Sequence, residues 1–307
     1  MKKFSFLLAI MVACSVLLAQ EDQGTTMDQP VRPPLETPWA KVNTGEFSEP
    51  VPYQPTRESD IMYFRTIWRV IDLREKMNHP LYFPTATNGT WRSLAQLIFD
   101  AVDFKNEENM DALPVYTSEL CDTYQDKATI RATLSETSLV ADIDLETGEY
   151  LGTKESYNEF QAYQVYSYRI KEVWFFDKQR SVLDVRILEI EPMVEYERPG
   201  SEQSYEDEGD NFVELNMNTR RMGYIMYDEL RPYLVKQEIF NVKNNAARLS
   251  MDDLLTFKRQ FASYIFKEDN VYDRDIQQYM ANPRDQRIES ERITNDIRVY
   301  EHDLWEL

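Results

Sequence analysis

The sequence predicts an α+β fold: an antiparallel sheet centred on residues 163–192, helices packed against it, and an extended Pro-rich N-terminal arm. Three observations predict it. In the run YQVYSYRIKEVWFFDKQRSVLDVRILEIEP, from Tyr163 to Pro192, Tyr166, Tyr168, Ile170, Trp174 and Phe176 alternate, and Leu183, Val185 and Ile187 resume after a polar break at 177–180. A period of two puts these side chains on one face of a strand, and two such runs with a short polar join read as a hairpin. Segments with helical spacing flank the hairpin on both sides. Finally, half of the 14 prolines (Pro30, Pro33, Pro34, Pro38, Pro50, Pro52 and Pro55) crowd into residues 21–58, where no helical or strand period survives.

The domain plan follows. Lys2-Lys3, an apolar run from Phe4 to Leu18 and the small or polar residues after it read as a signal peptide, residues 1–19, cut before Gln20. A lipidated Cys14 is the competing reading, against which Met11 stands where such a box carries Leu. Residues 20–58 form the arm and residues 59–307 the core. No later run approaches the ~18 apolar residues of a membrane span. Loss of Lys2 and Lys3 would take the net charge from −20 to −22. Such a surface disfavours nucleic acid and anionic lipid; it fits a basic protein partner, bound cations, or solubility alone. Cys121 is then the single thiol, so no internal disulfide is expected. In the arm, Trp39, Phe47 and Tyr53 are candidate interface anchors, either docking on a partner or packing on their own domain.

Along the core, Ser59 is expected to cap a helix over residues 60–78, with Ile61, Phe64, Trp68 and Ile71 as its stripe. Residues 81–84 read as extended and Asn88-Gly89 as a turn. A second helix starts at Thr90 and aligns Leu94, Leu97, Ile98 and Ala101. Short strands are expected at 115–116, 130–134 and 139–145, with a turn at 146–148. Pro192, unable to donate to a ladder, closes the hairpin. Residues 198–210 are acidic; the ligand order of a calcium loop is missing, so a solvated loop is favoured there. Residues 221–227 and 233–240 are strands or a helix turn. Ser250, with Asp253 three residues on, opens a helix striped by Leu254, Phe257, Phe261 and Ile265. A last helix covers 284–300, aligning Ile293, Ile297 and Tyr300.

The inventory for chemistry is thin, and no catalytic, metal or cofactor-binding residue is expected. His79 and His302 are the only histidines, and neither sits in HExxH or GxSxG spacing. With 8 glycines there is no GxGxxG phosphate loop. Carboxylates are too numerous for any pair to stand out. Exclusion favours an interaction or structural protein. A carboxylate-dependent exported hydrolase and a monomeric glycan-binding module with an aromatic platform remain as alternatives.

The hairpin KEVWFFDKQRSVLDVRILEIEP resembles the central signature of the gliding motility protein GldN family, also called PorN. Similar to that family are also WRVIDLREKMNHPLYFP from Trp68 and ARLSMDDLLTFKRQFASYIFKEDNVYDRDIQQY from Ala247, then IESERITNDIRVYEHDLWEL to the terminus. The likeness covers most of residues 60–307. It departs at Leu188–Pro192, where Glu189 and Glu191 stand in place of Gly and Ala. The resemblance implies a periplasmic structural component of the type IX secretion system of Bacteroidetes. It would self-associate in a ring with an outer-membrane lipoprotein, GldK or PorK, and contact the periplasmic part of the inner-membrane motor protein, GldM or PorM. It implies no cofactor and no active-site residues.

Overall fold

The computed structural model describes residues 48–88, 91–104, 112–143, 150–158, 160–197, 203–205, 212–214, 217–241, 244 and 248–305. The signal peptide, Trp39, Phe47, Gly89-Thr90, the 146–148 turn and nearly all of the acidic 198–210 loop lie outside these residues. Residues Glu49–Leu307 form one compact unit.

The expected hairpin is the spine of that unit. Strand β4 (Val165–Asp177) pairs with β5 (Val182–Glu197) in antiparallel register, Ile170 opposite Ile190 and Trp174 opposite Val185. The turn is held by Arg180, whose guanidinium grips Asp177 and Asp184 at 2.7 Å each. Strand β5 does not stop at Pro192 but runs five residues past it. The Pro192 carbonyl accepts from Met222 N at 3.2 Å, where the neighbouring strands β8 (Met217–Arg221) and β9 (Ile225–Met226) leave a gap. N–H and C=O of one strand residue point the same way, so proline's missing donor falls in that gap and breaks no ladder bond.

Residues 60–78 are not a helix. They form strand β1 (Ile61–Asp72), paired with β4 along its whole length, and then a short turn. IMYFRTIWRVID is rich in β-branched and aromatic residues, which suit a pleated surface better than a helix interior. The apparent stripe divides between the faces: Ile71 is fully buried, whereas Phe64 is 64% exposed. On the outer side of β1 lies β12 (Tyr264–Glu268), giving a six-stranded sheet in the order β12-β1-β4-β5-β8, with β9 beside β5.

Three further local expectations are corrected. Residues 81–84 are not all extended: helix α1 (His79–Tyr82) starts with Pro80 in its first turn, where a missing N–H is harmless. Residues 130–134 belong to helix α3 (Lys127–Leu134), with Ile130 and Leu134 buried four apart. The Ser250 helix is short. Its capping box forms, Asp253 N donating to Ser250 Oγ at 3.0 Å and Ser250 N to Asp253 Oδ2 at 3.2 Å. The chain then makes one wide turn over Asp253–Phe257 and leaves the helix, Arg259 taking the left-handed conformation (φ 47°). Ile265 is therefore on β12, not on that helix.

Other expectations hold in part. Ser93, not Thr90, caps helix α2 (Leu94–Val102), with Gln96 completing the box; Leu94, Leu97, Ile98 and Ala101 are all buried. Strand β2 (Glu136–Ile143) pairs with β3 (Tyr150–Asn158); β6 (Gln203–Tyr205), a short strand inside the stretch expected as a solvated loop, pairs with β7 (Phe212–Glu214). Residues 227–236 form helix α4 (Tyr227–Lys236), followed by the small pair β10 (Glu238–Ile239) and β11 (Leu249–Ser250). After the one-turn α5 (Ile276–Tyr279), helix α6 (Pro283–Trp305) buries Ile293 and Ile297 and sets Tyr300 against Tyr63, the rings tilted by 31° with centroids 4.4 Å apart.

Two apolar cores result. The larger joins α2, α4, Tyr168, Ile170, Ile190 and Phe261; the smaller joins Ile67, Ile265, Ile276, Ile293 and Ile297, with Trp174 against it. Glu172, fully buried, lies at their border. It binds Arg259 at 2.7 Å, Trp174 Nε1 at 3.0 Å and Arg69 at 3.7 Å. Among the described residues no helix is long and apolar enough to cross a membrane.

Candidate functional site

Register builds a charged row across the sheet. Lys267 of β12 stands opposite Trp68 of β1, Trp68 opposite Lys171 of β4, and Lys171 opposite Glu189 of β5. Alternation puts these four on one face, and opposite charges directly across strands attract. Lys171 Nζ lies 2.8 Å from Glu189 and 3.0 Å from Glu119; Glu119 also accepts from Trp68 Nε1 at 3.0 Å. Both lysines ride on the Trp68 ring, 5.6 and 4.6 Å from its centroid. One step along the strands, Arg169 pairs with Glu191 and covers Phe266 at 5.0 Å.

A pocket of about 260 Å³ opens over this row, closed by Glu119, by Arg221 and Tyr224, and by Asp273, Asp275 and Gln278. The Glu119 loop is fixed because Tyr116 exchanges backbone hydrogen bonds with Tyr224, at 2.7 and 2.9 Å. Gly223 makes that approach possible. Its φ is +126°, and a Cβ there would lie 2.6 Å from Val115 Cγ1 and 2.9 Å from the Tyr116 carbonyl.

The electrostatics are uneven. Burial pushes the Glu191 carboxyl above the usual carboxylate range, with Arg221 and Arg169 opposing. Burial likewise raises Glu189, against its hydrogen bond from Lys171. Desolvation pulls the Lys171 ammonium down, but Glu189 and Glu119 more than offset it and leave it raised. Cys121, on the same loop as Glu119, is half-buried, and desolvation raises its thiol to about 11. It is mostly protonated, and hence a poor nucleophile, near neutral pH.

The residues singled out from the sequence fall elsewhere. Tyr53 sits on its own unit, 4.3 Å from the Arg231 guanidinium and 5.1 Å from that of Arg186. The same arginines bind the chain around it: Arg231 donates to the Val51 carbonyl, and Arg186 to the Gln54 carbonyl and the Thr56 hydroxyl. Arg231 is itself held by Asp252 through bonds of 3.1 and 3.0 Å. His79 is exposed and edge-on to Phe83, and His302 lies in the last turn of α6. No group of three or more His, Cys, Asp or Glu among the described residues could hold a metal. Sequence reasoning noticed Glu189 and Glu191 only as unusual residues; their two-residue spacing on a strand was the signal that they share a face.

No curated protein matches the chain. The family model for the gliding motility associated protein GldN matches residues 56–306, a span holding every strand of the sheet and every residue of the pocket. The chain therefore belongs to the GldN family, a structural component associated with gliding motility and type IX secretion.

Proposed function

We propose that this chain is a non-catalytic structural subunit of the type IX secretion and gliding machinery. It assembles in the periplasm with an outer-membrane lipoprotein of the GldK/PorK kind into a ring and contacts the inner-membrane GldM/PorM-like motor protein. The family match over residues 56–306 carries this reading. A closed ring needs a heterologous contact, one surface of each subunit meeting a different surface of the next. The arm is the device we assign to it. Tyr53 is clamped between Arg186 and Arg231, so the chain upstream leaves from a fixed point and can carry Trp39 and Phe47 to a neighbour.

The test is deletion of residues 21–48, which spares the Tyr53 clamp. The shortened protein should melt as the parent does yet fail to co-elute with its lipoprotein partner. An undiminished complex would remove the arm from the assembly.

A second reading has one observation in its favour. A carboxylate-dependent hydrolase requires raised carboxyls in a cleft, and Glu189 and Glu191 are raised and line one. Against it, Lys171, Arg169 and Arg221 all favour their ionised forms, which suits a general acid poorly. Cell-wall glycan incubated with the pure protein should yield no new reducing ends. Release that disappears in E189Q and E191Q would establish the hydrolase instead.

A further inference from the structure

The pocket on the sheet face has acceptors without donors. Glu189 and Glu191 are 6% and 4% exposed, yet Glu189 Oε2 and Glu191 Oε1 have no hydrogen-bond partner. Lys171 uses the other Glu189 oxygen. Around Glu191, Arg221 Nε stays 3.8 Å and Arg169 Nη1 3.9 Å away, beyond hydrogen-bond reach. Buried carboxylate oxygens are ordinarily paired, so these two mark a place built for an incoming donor.

We propose that this pocket binds a guanidinium or primary ammonium group, which donates to Glu189 Oε2 and Glu191 Oε1. The other lining groups fit that guest. Trp68 and Phe266 already carry Lys171, Lys267 and Arg169, so the Tyr224 ring is the aromatic surface left to the guest, a surface a planar guanidinium favours. The lining cations are partly occupied already, Lys171 by Glu119 and Glu189, and Lys267 by Asp273. A volume of about 260 Å³ lies below the roughly 300–1,000 Å³ of sites that enclose a drug-sized ligand, so a side-chain tip fits and an oligosaccharide does not. A net charge of −20 draws cations to the whole molecule. The cation can belong to an Arg or Lys side chain of a basic protein or to a small free molecule. This inference stands on the pocket alone and is independent of the ring reading.

Calorimetric titration of the full exported chain tests it, with three probes: N-acetyl-arginine methylamide, free arginine, and the neutral isostere N-acetyl-citrulline methylamide. The arginine probes should saturate, and the citrulline probe should bind at least about tenfold more weakly. E189Q and E191Q should each weaken arginine binding by about tenfold or more, with far-ultraviolet circular dichroism unchanged. Should either variant misfold, the indole N–H resonance of Trp68 in the unaltered chain gives a readout free of substitutions, and it should shift with arginine and not with citrulline. Equal binding of the methylamide and free arginine assigns the site to a protein side chain; strong preference for free arginine assigns it to a small molecule. Citrulline binding equal to arginine, retention of affinity in both variants, or no saturation and no Trp68 shift with either arginine probe would overturn the proposal.

Discussion

Replacing Glu172 with alanine should be among the most damaging single changes to the core. The carboxylate is fully buried, accepts hydrogen bonds from Arg259 at 2.7 Å and Trp174 Nε1 at 3.0 Å, and forms an ion pair with Arg69 at 3.7 Å. Truncation strands two guanidiniums and an indole N–H between the two apolar cores. Breaking a buried ion pair from one side costs about 3–5 kcal/mol. The Arg69 and Arg259 side chains retain 18% and 21% exposure, so water relieves part of that loss and sets the expectation near the lower bound, about 3 kcal/mol. For a chain this long that corresponds to a fall in melting temperature of roughly 6–12 °C. Urea unfolding followed by Trp fluorescence and circular dichroism measures it. Replacing all three charged residues with apolar ones of similar volume (Glu172→Met, Arg69→Met, Arg259→Leu) should recover most of the loss, because no charge is then left unpaired. A Glu172→Ala midpoint within about 1 kcal/mol of the parent, at unchanged slope, would refute the reasoning.

Other consequences concern the pocket, the clamp and the loop. Because burial raises Glu189 and Glu191 in the folded state, the folded chain binds protons that the unfolded chain releases above the ordinary Glu value of 4.5. Stability from these groups thus rises as pH falls toward 4.5. Asp72, Asp177 and Glu289, held low, act in the opposite sense and lose their contribution only below their ordinary values of 3.8 to 4.5. Glu191→Gln should therefore raise the urea midpoint near neutral pH, with the gain fading as pH approaches 4.5; a pH-independent change would contradict this. Tyr53→Ala removes a ring shared by two guanidiniums, costing about 0.5–2 kcal/mol, and should speed hydrogen exchange over residues 49–57. Unchanged exchange there would count against the clamp. Gly223→Ala forces a Cβ to 2.6 Å from Val115 and to 2.9 Å from a backbone carbonyl, at a φ side chains avoid. About 2–3 kcal/mol should be lost in the same urea assay, and a loss below about 1 kcal/mol would mean the loop yields cheaply.

The central hairpin was legible because its first half alternates large, mostly aromatic residues from Tyr166 to Phe176 and its second half resumes the alternation with Leu183, Val185 and Ile187. Ser250 announced its cap through a side chain that bonds locally, so no tertiary information was needed; Ser93 offers the same signal with Gln96 but was passed over for Thr90. Strand β1 was misread because spacing was weighed above residue type. Ile61, Phe64, Trp68 and Ile71 fit a helical stripe, but the β-branched and aromatic residues between them fit a strand, and pairing with β4 decided it. Helix α3 was missed for the converse reason: Thr129, Ile130 and Thr133 suggest a strand, while burial of Ile130 with Leu134 needs a helix. The pocket could not be read in advance. It unites residues from Trp68 to Gln278 on five strands, three loops and helix α5, brought together by registers and by Gly223, none of which is a local property.

Recovery of the mature protein from native envelopes, followed by mass spectrometry and negative-stain imaging, tests the central claim most directly. The structural-subunit account predicts a ring of megadalton scale containing a lipoprotein partner and no detectable hydrolytic activity. Recovery as a lone monomer would contradict it and return the Glu189–Glu191 cleft to consideration as an active site.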